Sequence, residues 1–234
     1  MELHAVGHAQ LVAAVDPAGE TLRRWADVMA HAPRELSTAV MLSSQGTTTA
    51  AFITAVVASD SPPVIRDAVE PLLGIGDVRA QQAHVVPYTE LLPPHHLHAN
   101  TGQMPAGTTN GLLTDMTPDA ARALVTASAG PDPVLIQLRS LGGATHDPAP
   151  WATAFAHRHQ NTLVIATAFL PDAPATLATA WRPLAPHTDG AYVNFESAPD
   201  EATFARAYPG PTRTRVTDLW KRYDPDGVLR HQPT

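Results

Sequence analysis

Strand-like and helix-like segments alternate along the chain, and this alternation limits the fold to the α/β and α+β classes. The segment Thr162 to Phe169 is almost entirely apolar, as is typical of a strand in the interior of a sheet. Two further strand-like segments, Glu35 to Leu42 and Ala50 to Ala58, flank a polar tip that contains Gly46. This spacing predicts an antiparallel hairpin.

Helical spacing recurs in six other segments, which begin near Pro17, Ser61, Thr117, Asp172, Asp200 and Thr212. Three more strands are predicted at Leu3–Val15, Val78–Val86 and Val134–Leu138. The stretch from Pro93 to Gly111 has no periodicity, and we expect it to be one long loop. Because no repeat or low-complexity linker interrupts the pattern, residues 1–234 are interpreted as a single domain.

The composition excludes several classes of protein. The net charge of −7 gives no basic face for nucleic acid, and the absence of cysteine excludes disulfides and thiol chemistry. No apolar run reaches the length of about 18 residues that a membrane helix needs. The first residues lack the basic and apolar regions of a secretory signal. We therefore expect a cytoplasmic protein that binds neither nucleic acid nor membrane.

Residues near the C-terminus form a recognisable pattern, which consists of Ala191–Phe195, Ala207–Tyr208 and Leu219–Arg230. It resembles the closing segment of berberine-bridge-enzyme-like FAD-linked oxidases, where Tyr-x-Asn-Tyr is followed by a tyrosine and by Lys-x-x-Tyr-Asp-Pro-x-x-x-Phe. Two upstream blocks, Gln137–Ala144 and Thr153–Arg158, resemble family sequences in the same order. The resemblance spans the chain and assigns residues 190–234 to the family's C-terminal segment.

The resemblance implies an α+β fold with a single antiparallel sheet of about six to seven strands. Helices would cover one face, and the other face, which meets the flavin in intact members, would form a cleft or an interface. The family's FAD-binding domain would precede residue 1, and Gly74-Ile75-Gly76 alone is a weak candidate for cradling a pyrophosphate. We therefore expect no cofactor on this chain, with FAD supplied by a partner chain as the alternative.

Two positions depart from the family pattern. Phe195 stands where many bacterial members have a second tyrosine that serves as catalytic base, and a phenyl ring cannot accept a proton. Leu229 replaces the phenylalanine that the family prefers. The usual oxidative site is therefore expected to be altered.

Tyr192 and Asn194 are the first candidate catalytic residues. On a strand they would share one face, opposite Val193 and Phe195. A phenol beside an amide can bind and polarise a carbonyl or an enol. The alternative is that both side chains satisfy buried hydrogen bonds at a strand end.

His157 is the third candidate, because a histidine shuttles protons near neutral pH. Strand alternation would place His157 and His159 on one face, with Arg158 on the other face to hold an enolate or a carboxylate. In the alternative, Arg158 pairs with a carboxylate at the sheet rim and both histidines are solvated.

Further candidate substrate-binding residues are polar or aromatic side chains near this site. Gln137 and Arg139 share a strand face opposite Leu138 and would serve as polar anchors in an apolar pocket. The set is completed by Phe195, Tyr88 and His98. His95, His96 and His98 match no defined zinc motif, so no metal site is expected.

Two functions of different classes remain. The first is a flavin-free enzyme that catalyses a non-redox cyclisation, isomerisation or elimination of a small apolar natural-product intermediate such as a polyketide. The second is a substrate-binding subunit of a split FAD-dependent oxidoreductase that docks on a separate FAD-binding subunit. A non-catalytic module that buries its sheet face in a homodimer is the further alternative, because large exposed apolar faces are rare on monomers.

Overall fold

A single antiparallel sheet of seven strands organises the molecule. The computed structural model describes residues 4–46, 48–92, 106–130, 134–169 and 171–228. The strands are β1 (Ala5–Val15), β2 (Leu36–Gln45), β3 (Thr48–Val57), β4 (Val78–Pro87), β5 (Ala106–Leu113), β6 (Leu135–Ser140) and β7 (Thr162–Phe169). Their order is β4-β1-β3-β2-β6-β7-β5, and each neighbouring pair is antiparallel. The α+β class and the antiparallel sheet are confirmed.

The described residues also form six α-helices, which are α1 (Glu20–Ala30), α2 (Pro62–Val69), α3 (Pro118–Ala129), α4 (Ala173–Trp181), α5 (Glu201–Ala207) and α6 (Pro211–Tyr223). The hairpin of β2 and β3 is confirmed, with Gln45 paired to Thr48. The predicted loop from Pro93 to Gly111 is wrong in its last part, because Ala106–Leu113 is the strand β5. Small and polar residues in β5 hide its alternation. No helix of the described ranges is long and apolar enough to cross a membrane.

Helices α1 to α4 cover one face of the sheet, and the main core lies between them and the strands. Alternate residues of the inner strands point into this core, as in β3, where Ala51, Ile53 and Ala55 are buried, whereas β4 is exposed along most of its length. Trp25 of α1 is 1% exposed, and its indole Nε1 donates to the Thr38 hydroxyl at 3.1 Å. Burial of each large side chain contributes about 1.5–3 kcal/mol, so this face holds the helices in place.

Among the residues that the structure describes, the second face of the sheet is covered only at the β6-β7-β5 end. There Leu112, Leu163 and Ile165 form a smaller core under Phe155 and residues of the C-terminal segment. This cover explains the apolar pattern of β7, which is buried on both faces although it lies one strand from the sheet edge. Over β4, β1, β3 and β2 the face is open, with Met41 40% and Phe52 42% exposed.

The C-terminal segment runs along the outer edge of β5. The backbones of Leu112 and Asp189 exchange two hydrogen bonds of 2.9 and 2.7 Å, and the Ser197 amide donates to the Thr108 carbonyl at 3.0 Å. An exposed strand edge invites pairing with another chain. The fold therefore covers this edge with its own chain, and it thereby brings residues 190–197 next to β5.

Candidate functional site

Tyr192 lies at the start of a 3₁₀ turn, Val193–Phe195, and not on a strand as predicted. In the turn the alternation of faces is lost, so Phe195 joins Tyr192 and does not point away from it. The Tyr192 ring meets Phe155 edge-on at a centroid distance of 5.6 Å and Phe195 at 5.8 Å. These three rings form the apolar wall of the site, which we call the aromatic cluster.

Asn194 and Tyr192 are brought together, although through a turn. The Asn194 amide Nδ2 donates to the Tyr192 phenol oxygen at 2.9 Å. Because the phenol oxygen accepts this bond, its own O–H is free to donate to another group. Asn194 is exposed and Tyr192 is half-buried, so this pair borders solvent.

Asn110 was missed by the sequence analysis, because it falls in the stretch predicted to be a loop. Its side chain is fully buried, and it binds the backbone of Tyr192 on both sides. Its Oδ1 accepts from the Tyr192 amide at 2.7 Å, and its Nδ2 donates to the Tyr192 carbonyl at 3.0 Å. The signal that could have found it is an asparagine inside a short run that ends in Gly111 and two leucines.

Arg139 and Gln137 share the second face of β6 as predicted, and Leu138 is buried on the opposite face. The Arg139 guanidinium lies 5.5 Å from the centroid of the Phe195 ring, within the range of a cation–π contact. Its cross-strand neighbours are Ala39 and Leu163, both uncharged. Arg139 is exposed, so its charge can attract an anionic group at the border of the open face.

His157 and Arg158 occupy an irregular connection between β6 and β7, so the predicted alternation of faces is wrong. Both side chains are buried, whereas His159 is exposed. Arg158 donates to the Thr145 carbonyl at 2.7 Å and to the Thr153 hydroxyl at 2.5 Å. Arg158 therefore holds the connection together. The alternative in which Arg158 pairs with a carboxylate at the sheet rim and His157 is solvated is wrong.

Burial lowers the pKa of His157, although the backbone of Ala207 and Arg206 and the carboxylate of Asp189 oppose this change. The imidazole packs edge-on to Phe155 at 5.7 Å, which extends the aromatic cluster. Its Nε2 is buried without a hydrogen-bond partner of normal geometry. A neutral imidazole is favoured here, and it lies behind Phe155, which separates it from Tyr192 along the row of rings.

Glu196 is a further ionisable group that the sequence analysis missed. Burial raises its pKa, while the Thr109 hydroxyl, which donates to Oε2 at 2.9 Å, opposes the rise. Thr109 lies on the helix-covered side of β5, opposite Asn110. Glu196 therefore fastens the segment to the sheet edge from the side away from Tyr192.

Two predicted substrate-binding residues do not join the cluster. Tyr88 follows β4 at the far edge of the sheet, and four strand spacings, about 19 Å, separate β4 from β6. His98 lies outside the described residues, together with His95 and His96. Within the part of the chain that the structure describes, no three His, Asp or Glu side chains are grouped to hold a metal.

The described residues do not fit the diphosphate of FAD by themselves. A phosphate binds best at an uncapped helix N-terminus, but the Asp16 carboxylate already accepts from the amides of Glu20 and Thr21 at the start of α1. Thr117 and Asp200 cap α3 and α5 in the same way, whereas α2, α4 and α6 have no side-chain cap but carry a proline, which has no N–H to donate, in the first two positions. Gly76 offers no cradle either, since a Cβ there would lie 3.0 Å from the Thr21 hydroxyl.

No protein-family model matches the sequence, and no curated protein matches it either. Solved structures do match. The fold is that of berberine bridge enzyme and related oxidases: chitooligosaccharide oxidase (TM-score 0.79, 16% identity) is covered over 56% of its chain by 99% of this one. For berberine bridge enzyme from Eschscholzia californica the TM-score is 0.76 and the identity 14%. The match includes 97% of this chain and 54% of that enzyme. For CrmK, a flavoenzyme of caerulomycin biosynthesis, the TM-score is 0.77 and the identity 15%. The match includes 100% of this chain and 57% of CrmK.

The chain thus spans a little over half the length of the flavoenzymes whose structures it matches. The resemblance found in the C-terminal motif and the structural likeness agree on the fold. At these identities, the likeness establishes fold alone.

Proposed function

We propose that this chain forms the substrate-binding half of an FAD-linked oxidoreductase. A flavin-binding unit packs against its open sheet face, either as a segment of the same polypeptide or as a separate subunit. The observation that carries this proposal is that the aromatic cluster, with Tyr192 and Asn194, ends at Phe195 beside Arg139, whose strand β6 adjoins the open part of the sheet.

An open face cannot exclude water from a reacting substrate, and a second surface is needed to enclose the site. Met41 lies beside Gln137 in the sheet, and Phe52 lies beside Met41 on the next strand, so apolar surface continues outward from the polar residues. A shallow groove of about 370 Å³ extends it further, lined in part by Phe52, Val12 and Gln10. Contiguous exposed apolar surface of this kind marks an interaction site.

In this arrangement the residues of this chain bind and orient the substrate. The Tyr192 hydroxyl donates a hydrogen bond to a substrate oxygen, and Asn194 fixes the direction of the phenol oxygen. The Arg139 guanidinium attracts a carboxylate or enolate oxygen, and Gln137 adds one donor and one acceptor on the same strand face. The aromatic cluster supplies the apolar wall.

The matched structures support this proposal without deciding the substrate. One is a chitooligosaccharide oxidase and another a flavoenzyme of caerulomycin biosynthesis, so the same fold serves different compounds. The apolar surroundings of Arg139 favour a natural-product intermediate with a large apolar body and a single anionic or enolic group over an oligosaccharide.

The test is affinity purification of the tagged chain from its native cells, followed by flavin absorbance of the purified material. We expect stoichiometric flavin with the wild-type chain and its loss in a Met41→Glu and Phe52→Glu double variant. Val64→Glu is the matched control, because Val64 is 45% exposed on α2 at the opposite face. Flavin that persists in the double variant contradicts docking through the open face. Sedimentation of the chain alone checks the homodimer, which the double variant would dissociate.

A second function is favoured by Phe195, whose ring lies under Arg139 and offers no proton acceptor. We propose as the alternative that the chain acts without flavin, in a cyclisation or isomerisation of a polyketide-like intermediate. Tyr192 then serves as the acid that protonates or polarises a carbonyl oxygen.

For this alternative, the exchange of the α-protons of an enolisable aryl ketone in deuterated water is followed by NMR. Tyr192→Phe should lower the catalysed rate about 100-fold or more and change the free energy of unfolding by less than about 0.5 kcal/mol. Equal rates for the variant and the wild type remove Tyr192 from the acid role. No exchange above the protein-free rate contradicts flavin-free enolisation altogether.

A further inference from the structure

Asn110 directs both ends of its side-chain amide to the same residue of the site. The amide oxygen and nitrogen bind the N–H and C=O of Tyr192, and the Asn110 backbone carbonyl accepts from Arg206 Nη2 at 3.1 Å. The side chain is fully buried between strand β5 and the C-terminal segment. A buried amide with both ends bound to one residue leaves that residue a single backbone orientation.

The contact differs from ordinary edge pairing. Leu112, which lies two residues after Asn110 on β5, pairs with Asp189 directly through the backbone. At Asn110 the side chain bridges the two backbones, so the C-terminal segment stands further from the strand there. This is the place where the segment leaves the extended conformation, with φ −118° and ψ 111° at Tyr192, and enters the 3₁₀ turn.

The backbone frame in turn fixes the phenol. With the peptide planes on both sides of Tyr192 held, only the two side-chain torsions remain free. Phe155 and Phe195 restrict these torsions by edge-on contacts. We propose that Asn110 is a positioning residue, which holds the Tyr192 phenol in place within the aromatic cluster. This inference rests on the proposed function only in so far as Tyr192 contacts substrate.

The test reads the position of the phenol without a substrate. The protein is labelled with 3-fluorotyrosine, and the ¹⁹F NMR resonance of Tyr192 is assigned from the signal that Tyr192→Phe removes. In Asn110→Leu, which removes both hydrogen bonds at similar volume, we expect the Tyr192 resonance to shift or broaden. The resonances of the exposed Tyr88 and Tyr223 should stay in place.

Asn161→Leu is the matched control, because the Asn161 amide also donates to a backbone carbonyl, that of Thr114 at 2.8 Å, away from the aromatic cluster. Asn110→Asp keeps an acceptor for the Tyr192 amide, so it should shift the resonance less than Asn110→Leu does. A Tyr192 resonance that matches the wild type in folded Asn110→Leu overturns the proposal. If Asn110→Leu does not fold, a Tyr192 resonance in Asn110→Asp that matches the wild type overturns the proposal. Failure to recover flavin with the chain would instead affect the proposed function alone.

Discussion

The surrounding structure constrains the ionisation of His157. Burial lowers its pKa, and its Nε2 has no hydrogen-bond partner of normal geometry that would stabilise the charged form. The groups that face it are Asp189 and Arg158, with the backbone of Arg206 and Ala207 on the other side. A proton on His157 would therefore disturb the contact between the β6–β7 connection and the C-terminal segment.

This predicts a pH dependence of stability. Below about pH 6.5, the unfolded chain takes up a proton at His157 that the folded chain resists. The contribution of His157 is complete above that pH, and it decreases as the pH falls towards the lowered pKa of the folded state. Urea unfolding at about pH 7.5 and about pH 5.5 measures the difference in the free energy of unfolding between the two conditions. The difference should shrink in His157→Gln, and an equal loss in that variant would show that other histidines cause it.

Single residues of the site could be predicted from the sequence only where a local motif names them. Tyr192 and Asn194 are found by the Tyr-x-Asn pattern, and they do contact each other. Asn110 and Glu196 carry no such motif, because their roles depend on which strand edge the C-terminal segment follows. That choice is made by long-range packing, which a local pattern does not contain.

At the scale of elements, the segment that covers the edge of β5 is fitted closely to the β6–β7 connection. Gly190 has φ +64°, and a Cβ there would lie 2.2 Å from Cε1 of His157. The imidazole therefore rests on the Gly190 backbone, and Tyr192 follows two residues later. The position of the tyrosine depends on this contact as well as on Asn110.

Gly190→Ala is expected to destabilise the fold by about 2–5 kcal/mol, because it adds left-handed strain and an overpacked contact. Gly46→Ala is the matched control: Gly46 has φ +60° in the hairpin turn, and a Cβ there meets nothing within 4 Å. Gly46→Ala should lower the free energy of unfolding only by the backbone strain, about 1–2 kcal/mol. Thermal or urea unfolding compares the two, and equal losses would mean that the His157 contact contributes nothing.

Elements were predictable where their pattern is strong. The hairpin of β2 and β3 and the buried strand β7 follow from apolar periodicity. β5 was not predicted, because Gly107, two threonines and Gly111 give it little apolar character. Gly111 is required by packing, since a Cβ there would lie 2.7 Å from Thr188. The interpretation of residues 1–234 as one domain stays a prediction.

For the whole molecule, the central fact is that the described residues cover one end of the second sheet face and leave the other end open. The chain spans a little over half of each solved structure named above, and its described residues cap the N-termini of α1, α3 and α5. The proposed function places a flavin-binding unit at the open face. The sequence motif indicated the family likeness, but the extent of the open surface follows only from the strand order.

Photocrosslinking from position 52 in the native cells tests this requirement most directly. The crosslinking amino acid p-benzoylphenylalanine replaces Phe52, and a second protein carries it at Val64 as the control on the opposite face. We expect peptides crosslinked to position 52 to come from a polypeptide segment that binds FAD, with none from position 64. Crosslinks from position 52 to a second copy of this chain, or the absence of any crosslink to an FAD-binding segment, would contradict the docking of a flavin-binding unit on the open face.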